Sequence, residues 1–310
     1  MFLKNTLIAG ALAPVANADL LALNNAADQH KLKVHIFSKH LQFLNYKDLA
    51  EAAAEMGFDG VDLSVRPKGH VEPERIEEDL PKAVAALKNA GLEHLLMTTA
   101  VNDANNHIDK KLLETAAKVG FTHYRMNWYN YPENKPMPEA LTELAEKING
   151  LGEFNRSLGL KGYYQNHAGI NIGSVIWEIY ELIKKADKNH MGVQYDIRHA
   201  MVEGAQSWEN GFRLVHDRIQ AISLKDFRWQ QQKDGRWLVE DVPVGDGMID
   251  FKSYFKLLKQ YKIDVPASLH IEYPLGGAEK GNRTITVDRK DVFKAMKKDL
   301  VKIHQLWSEA

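Results

Sequence analysis

Four stretches of this chain end an apolar run on side chains that move protons or hold cations. They are Tyr163-Tyr164-Gln165-Asn166-His167, Val193-Gln194-Tyr195-Asp196-Ile197-Arg198-His199, Ala221-Ile222-Ser223-Leu224-Lys225-Asp226 and Leu269-His270-Ile271-Glu272-Tyr273. Each reads as a short strand presenting its last residues at its carboxyl end. Period-two alternation then sorts the side chains: if Gln165 faces inward, Tyr163 and His167 share its side, Gln194 goes with Asp196, Ser223 with Lys225 and His270 with Glu272. Inward carboxylates at Asp196 and Glu272 are costly unless paired, hydrogen-bonded or bound to a metal. An inward Lys225 can pair with one of them, anchor a hydroxyl or stabilise negative charge on a carbonyl oxygen. With Gln165 and His167, the carboxylates Asp196 and Glu272 form a candidate ligand set for one divalent ion (Mn, Mg, Co or Zn), and Glu272, His199, Lys225 and His167 a candidate catalytic set. The structural alternative is that each acid accepts backbone donors, or pairs with Arg125 or Lys225, and only closes the rim.

Something must bring four strand ends to one place. From Leu32 onward the chain repeats a strand and a helix at near-constant intervals. The strands are Lys33–Ser38, Phe58–Ser64, Leu92–Thr99, Thr122–Trp128, a fifth ending at His167, Met191–Ile197, Arg218–Lys225 and Val265–Tyr273. Glycines at 57, 91, 120 and 159 stop four of the intervening helices. Eight cycles of mostly apolar strands predict a (β/α)8 TIM barrel over residues 31–310, whose carboxyl-end rim builds the site. A doubly wound sheet competes, but neither GxGxxG nor GxxxxGK[ST] occurs. On that rim His40, Asp62, His70, Asn127, Arg125 and Trp229 are candidate substrate contacts. Aromatic residues crowd the loops and suit the apolar C–H faces of a sugar ring, or equally an interface of a homo-oligomer. The stretch from Phe227 to Asp250 has the glycines for a small hairpin over the mouth.

Composition narrows the classes. Forty Lys and Arg against 41 Asp and Glu in 310 residues give no general attraction to nucleic acid or an anionic membrane. The absence of cysteine removes disulfides, thiolate ligands and a cysteine nucleophile. Residues 1–30 read as a signal peptide or a disordered leader. Lys4, the apolar run Leu7–Ala16 and Ala16-Asn17-Ala18 suggest export to the periplasm with cleavage after Ala18; a cytoplasmic protein with an unstructured leader is the alternative. The run is too short to span a bilayer as a helix.

The motifs Tyr164-Gln165-Asn166-His167, Asp196-Ile197-Arg198-His199, Ser223-Leu224-Lys225-Asp226 and His270-Ile271-Glu272, in that order, resemble the sugar phosphate isomerase/epimerase family, related to xylose isomerase and to endonuclease IV-type barrels. The resemblance runs from residue 32 to 310. It implies a xylose isomerase-like barrel with one divalent metal held by a glutamate, an aspartate, a histidine and a glutamate on strands five to eight. In such proteins the two glutamates also move a proton beside a ketose carbonyl. By position the aspartate is Asp196 and the last glutamate Glu272, but Gln165 and Ser223 stand at the other two places. Glutamine is no carboxylate base and serine is a poor substitute for imidazole, so metal binding is expected to be weakened. Three expectations follow: a metal held with help from His167 or waters, a metal-free acid–base site, or no catalysis. The leading one is a sugar isomerase or epimerase acting beside the carbonyl of a sugar or keto-sugar. Glu272 would be its base, His199 or His167 its acid and hydroxyl anchor, and Lys225 or an ion the stabiliser of an enediolate. A lyase or hydratase on a 3-keto-glycoside shares that intermediate, and a non-catalytic carbohydrate-binding barrel is the remaining alternative.

Overall fold

Two helices of the repeat show most plainly how a strand hands the chain on, each starting on a capping side chain and stopping on a glycine. In α1 (Tyr46–Met56) Asn45 caps by accepting from the Asp48 amide at 2.9 Å, and Gly57, at φ 94°, ends it. In α3 (His107–Val119) Asn106 caps and Gly120, at φ 100°, closes. These left-handed positions favour glycine, which is why the stops were legible. The computed structural model describes residues 31–310, so the expected leader, with its cleavage after Ala18, lies outside the described residues.

Among those residues the barrel strands are β1 (Val34–Phe37), β2 (Gly60–Val65), β3 (Glu93–Thr99), β4 (His123–Arg125), β5 (Lys161–Gln165), β6 (Met191–Asp196), β7 (Ile219–Leu224) and β10 (Ala267–Leu269). All pair in parallel, each beside its predecessor in the repeat, and β10 closes on β1 with Val34 opposite Ala267. The other helices are α2 (Ile76–Asn89), α4 (Met137–Leu158), α5 (Ile176–Ile183), α6 (Ile197–Gly204), α7 (Trp208–Val215), α8 (Phe251–Gln260) and α9 (Arg289–Ser308). Strands β1, β2, β6 and β7 are buried at every position, which explains their near-continuous apolar runs. The result is the expected eight-stranded barrel with interleaved helices.

Three differences from the sequence reading matter for the rim. Strand β4 stops at Arg125, after which the Met126 and Asn127 amides still bond the Tyr163 and Val101 carbonyls at 3.0 and 2.8 Å outside the ladder. Strand β5 stops at Gln165, and the His167 amide instead donates to the Gly173 carbonyl at 3.2 Å. The eight-residue helix α6 follows β6 with no loop between them, because Asp196 is both the last strand residue and the helix cap. The hairpin exists: β8 (Asp226–Gln231) pairs antiparallel with β9 (Trp237–Val242). Its base is tied by Asp226, whose carboxylate accepts from the amides of Phe227, Gly245 and Gly247 at 2.8, 2.9 and 3.2 Å. A Cβ on Gly247 would lie 2.1 Å from Asp226 Oδ1, so only glycine allows this closure.

Helix α9 buries Val292, Met296, Leu300, Ile303 and Leu306, and with them Asp299. Asp299 accepts from the Tyr273 hydroxyl at 3.0 Å, and burial raises its carboxyl to about 7. A carboxyl whose folded value lies above its unfolded value of 3.8 weakens the fold progressively as pH rises from about 4 through about 7. Asp299→Asn keeps the acceptor and removes the ionisation. Its melting temperature is expected to exceed that of the parent by on the order of 5 °C at pH 8 and to match it near pH 4. Equal melting curves at both pH values would refute this account.

Candidate active site

The direct passage from β6 into α6 fixes Asp196. Its Oδ1 accepts from the His199 amide at 3.2 Å, and Asn166 clamps its backbone, donating to its carbonyl at 2.9 Å and accepting from its amide at 2.8 Å. The other oxygen, Oδ2, is left for side chains: Gln165 Nε2 donates to it at 2.8 Å and Lys225 Nζ lies at 3.3 Å. Lys225, itself 2% exposed, also lies 3.4 Å from Glu272 Oε2 and 2.8 Å from His199 Nε2. One ammonium therefore joins two carboxylates and an imidazole from three successive units of the repeat.

Glu272 stands just beyond β10. The Ile271 amide donates to His40 Nε2 at 3.1 Å, and Phe37 stacks on His270 at 4.6 Å, so the segment is braced from β1. His270 Nδ1 and Lys39 Nζ both lie 3.8 Å from Glu272 Oε1. The Glu272 side chain is 24% exposed and that of Asp196 is fully buried, so Glu272 is the acid a ligand can touch.

Burial opposes both carboxylates, but their surroundings outweigh it. Around Asp196, Lys225 and the His199 amide hold the carboxyl below its usual range. Around Glu272 Lys225, the His270 hydrogen bond and Lys39 do the same, well below. The histidines go the other way. Burial, with Lys225 nearby, lowers His167 to about 4, and burial drives His199 well below its usual value against the attraction of Asp196. His199 has Lys225 Nζ at one ring nitrogen and Arg198 Nη1, 3.0 Å away, at the other. Burial and two neighbouring cations both disfavour a charged His199 ring, whose Nε2 lies where it can accept from Lys225 Nζ.

Gln165, Asp196, His199, Lys225 and Glu272 thus meet. His167 flanks them, its ring 4.0 Å from that of His199 and 4.7 Å from that of Trp128. Its Nδ1 donates to the Ala168 carbonyl at 2.9 Å, which leaves Nε2 as an acceptor. Arg125 joins through Gln165 Oε1, to which its Nη1 donates at 2.8 Å. The other expected substrate contacts have different work. His40 braces Ile271. Asp62 accepts from Thr98 and Ser268 hydroxyls, the latter at 2.7 Å, and struts the barrel interior. His70 is held by Ser38 at 3.1 Å. Asn127 makes its hydrogen bond through its backbone, and Trp229, 39% exposed on the hairpin, packs edge-on against Phe227. Lys39, Arg66 and Arg198 are charged groups of the rim that sequence reasoning missed. Arg198 also pairs with Asp241 of β9 at 2.7 Å and so links the hairpin to the His199 ring.

The residues at the expected ligand positions do not fit a divalent ion. Gln165 turns its amide nitrogen, a donor, toward Asp196, and its oxygen is engaged by Arg125. Ser223, in register with Asp196, offers only a buried hydroxyl that has no hydrogen-bond partner among the described residues. The two carboxylates converge on Lys225 Nζ, where an ion would meet an ammonium. Among the described residues no group of three or more His, Asp or Glu is arranged to hold a metal.

Comparison with known proteins places this geometry. The profile of the family described as xylose isomerase-like TIM barrel matches residues 50–294. An inosose dehydratase of Clostridium botulinum is 30% identical over 159 residues, covering 46% of this chain and 52% of that protein. The chain spans about half the length of the curated relatives it matches. Among solved structures, an Escherichia coli 3-keto-D-glucoside 4-epimerase superposes with a TM-score of 0.64 at 14% identity, covering 89% of this chain and 100% of that one. A protein named IOLI, solved with a bound zinc atom, superposes with a TM-score of 0.67 at 16% identity, covering 89% and 99%.

Proposed function

This chain belongs to the xylose isomerase-like TIM barrel family, and we propose that it is a lyase that eliminates the group β to the carbonyl of a keto-sugar, without a divalent ion. The observation that carries the reading is the contact between a ligand-accessible carboxylate, Glu272, and the buried Lys225 ammonium at 3.4 Å. Glu272 takes the proton from the carbon beside the carbonyl, and the C–H electrons move toward the carbonyl oxygen. Lys225 donates to that oxygen as it becomes an enolate, with His199 accepting another of its N–H groups. As Lys225 turns toward the enolate, Glu272 loses part of the stabilisation that keeps it a weak base, which favours proton capture at that moment. The enolate then reforms the carbonyl while a carbon–carbon double bond forms and the bond to the β oxygen breaks. That oxygen takes the proton from Glu272 and leaves as water or an alcohol.

Elimination is preferred to epimerisation for a chemical reason. Delivering a proton to the opposite face of the same carbon calls for a second exchanging group, and Gln165 stands where the resemblance expects the second glutamate, with an amide that carries no such proton. The dehydratase names of the partial relatives support the same side. The test is solvent deuterium exchange and enone formation over a panel of inososes and 3-keto-glycosides, each both neutral and bearing a carboxylate or phosphate. Exchange beside the carbonyl, with enone absorbance, abolished in Glu272→Gln, is the expected result. A panel with neither exchange nor elimination would overturn the enzyme reading.

A further inference from the structure

Resting on the keto-sugar reading, we infer that the substrate carries a fixed negative charge, a carboxylate or a phosphate, seated between Arg66 and Arg125 on the β2–β4 side of the rim. Arg125 is 3% exposed at the end of β4. One of its nitrogens donates to the neutral Gln165, its guanidinium carbon lies 4.1 Å from the Trp128 ring centre, and its Nε has no hydrogen-bond partner among the described residues. Arg66 follows β2 directly. Its guanidinium carbon is 5.5 Å from the centre of the Phe37 ring that stacks on His270, so it borders the same mouth. Among the described residues neither guanidinium makes an ion pair with a carboxylate.

The surrounding charges do not supply one. Asp62 is close enough to attract both arginines, but its oxygens accept from Thr98 and Ser268. Asp196 and Glu272 are taken by Lys225, with Lys39 on the outer oxygen of Glu272, and Asp241 is taken by Arg198. Lys39, Arg66, Arg125 and Lys225 thus outnumber Asp62, Asp196 and Glu272, and burial disfavours the charged forms of the adjoining His40, His167, His199 and His270. Burying Arg125 where Arg66 repels it is costly, and an anion bridging both forks offsets that cost. A neutral sugar would leave the excess uncompensated. Lys225 is already assigned to the enolate, so the two negative charges would not compete for one cation.

The test is equilibrium binding to the full chain at low ionic strength, with methyl β-glucuronide, methyl β-glucoside, glucose 6-phosphate and inorganic phosphate as probes. The glucuronide or the sugar phosphate is expected to bind about tenfold or more tightly than the neutral glucoside. Which of the two is favoured tells carboxylate from phosphate. Arg66→Gln, a change at a half-buried side chain, should bring charged and neutral sugars to equal affinity, while Arg66→Lys should restore part of the preference. Equal binding of charged and neutral sugars by the parent, or a preference that survives Arg66→Gln, would overturn the inference. Binding is read without turnover, so the two proposals fail separately. An anion preference with no exchange sinks only the lyase, and exchange with no anion preference sinks only the anion subsite.

Discussion

Lys225→Met is expected to slow exchange beside the carbonyl by about a hundredfold to a thousandfold, the cost of losing one donor to a developing oxyanion in a water-poor site. The expectation follows from where Nζ sits. Among the described residues it is the only group that touches Asp196, Glu272 and His199 together, at 3.3, 3.4 and 2.8 Å. No other cation among the described residues is placed to follow the enolate oxygen from that centre. Lys39 reaches only the far oxygen of Glu272, and Arg125 is turned to Gln165 and Trp128. The methionine variant also leaves two carboxylates without their shared partner, which costs about 3–5 kcal/mol of stability. Lys225→Arg therefore belongs in the same experiment. It keeps the positive charge between the acids and should stay folded, but its wide planar fork cannot occupy the point position of Nζ and should still lose most of the rate. A fully active Lys225→Arg, or a Lys225→Met that exchanges at the parental rate, would remove Lys225 from the mechanism.

The barrel was legible because helix caps and glycine stops repeat at regular intervals, and because strands covered on both faces must be apolar throughout. Gln165, Asp196, Lys225 and Glu272 were found together because alternation along a strand fixes the face of a side chain near its end. His167 reached the site for another reason than the one that suggested it, since the strand stops two residues earlier and a loop delivers the ring. The reading failed where a side chain's direction is set by its partner and not by the pleat. His40 looks like a hydroxyl contact until the Ile271 amide is found to donate to it, and Asp62 looks like a ligand until Thr98 and Ser268 close on it. Lys39 and Arg66 each lie within two residues of a strand end, but a long cation at such a place is as compatible with a solvated surface as with a site, so residue type alone does not single them out. Helix α6 was missed because its cap, Asp196, is hidden at the end of an apolar strand.

A divalent ion and the Lys225 ammonium are alternatives for one position, and the choice between them can be reversed by substitution. In the parent, one carboxylate at each of β6 and β10 faces Nζ, an amide donor stands at Gln165 and a hydroxyl at Ser223. Strands β5, β6, β7 and β10 are successive neighbours, with Gln165 opposite Gln194 and Ser223 opposite Asp196. Changing Gln165 to Glu and Ser223 to His would therefore add an anionic oxygen and an imidazole beside acids already preorganised, and Lys225→Met would vacate the point between them. The triple variant Gln165→Glu, Ser223→His, Lys225→Met is expected to take up one equivalent of Zn2+ or Mn2+ at least about a hundredfold more tightly than the parent. Elemental analysis after dialysis and titration calorimetry read this directly, whatever the activity. The parent should show no stoichiometric metal and no change in exchange rate after chelation and Mn2+ addition. Stoichiometric, tight binding by the parent would mean that Lys225 yields its place to the ion, and the ion-free elimination would have to be abandoned. A triple variant that folds with no more affinity than the parent would mean instead that the four strand ends do not converge closely enough to share a cation, and the assignment of Nζ as that cation would fall with it.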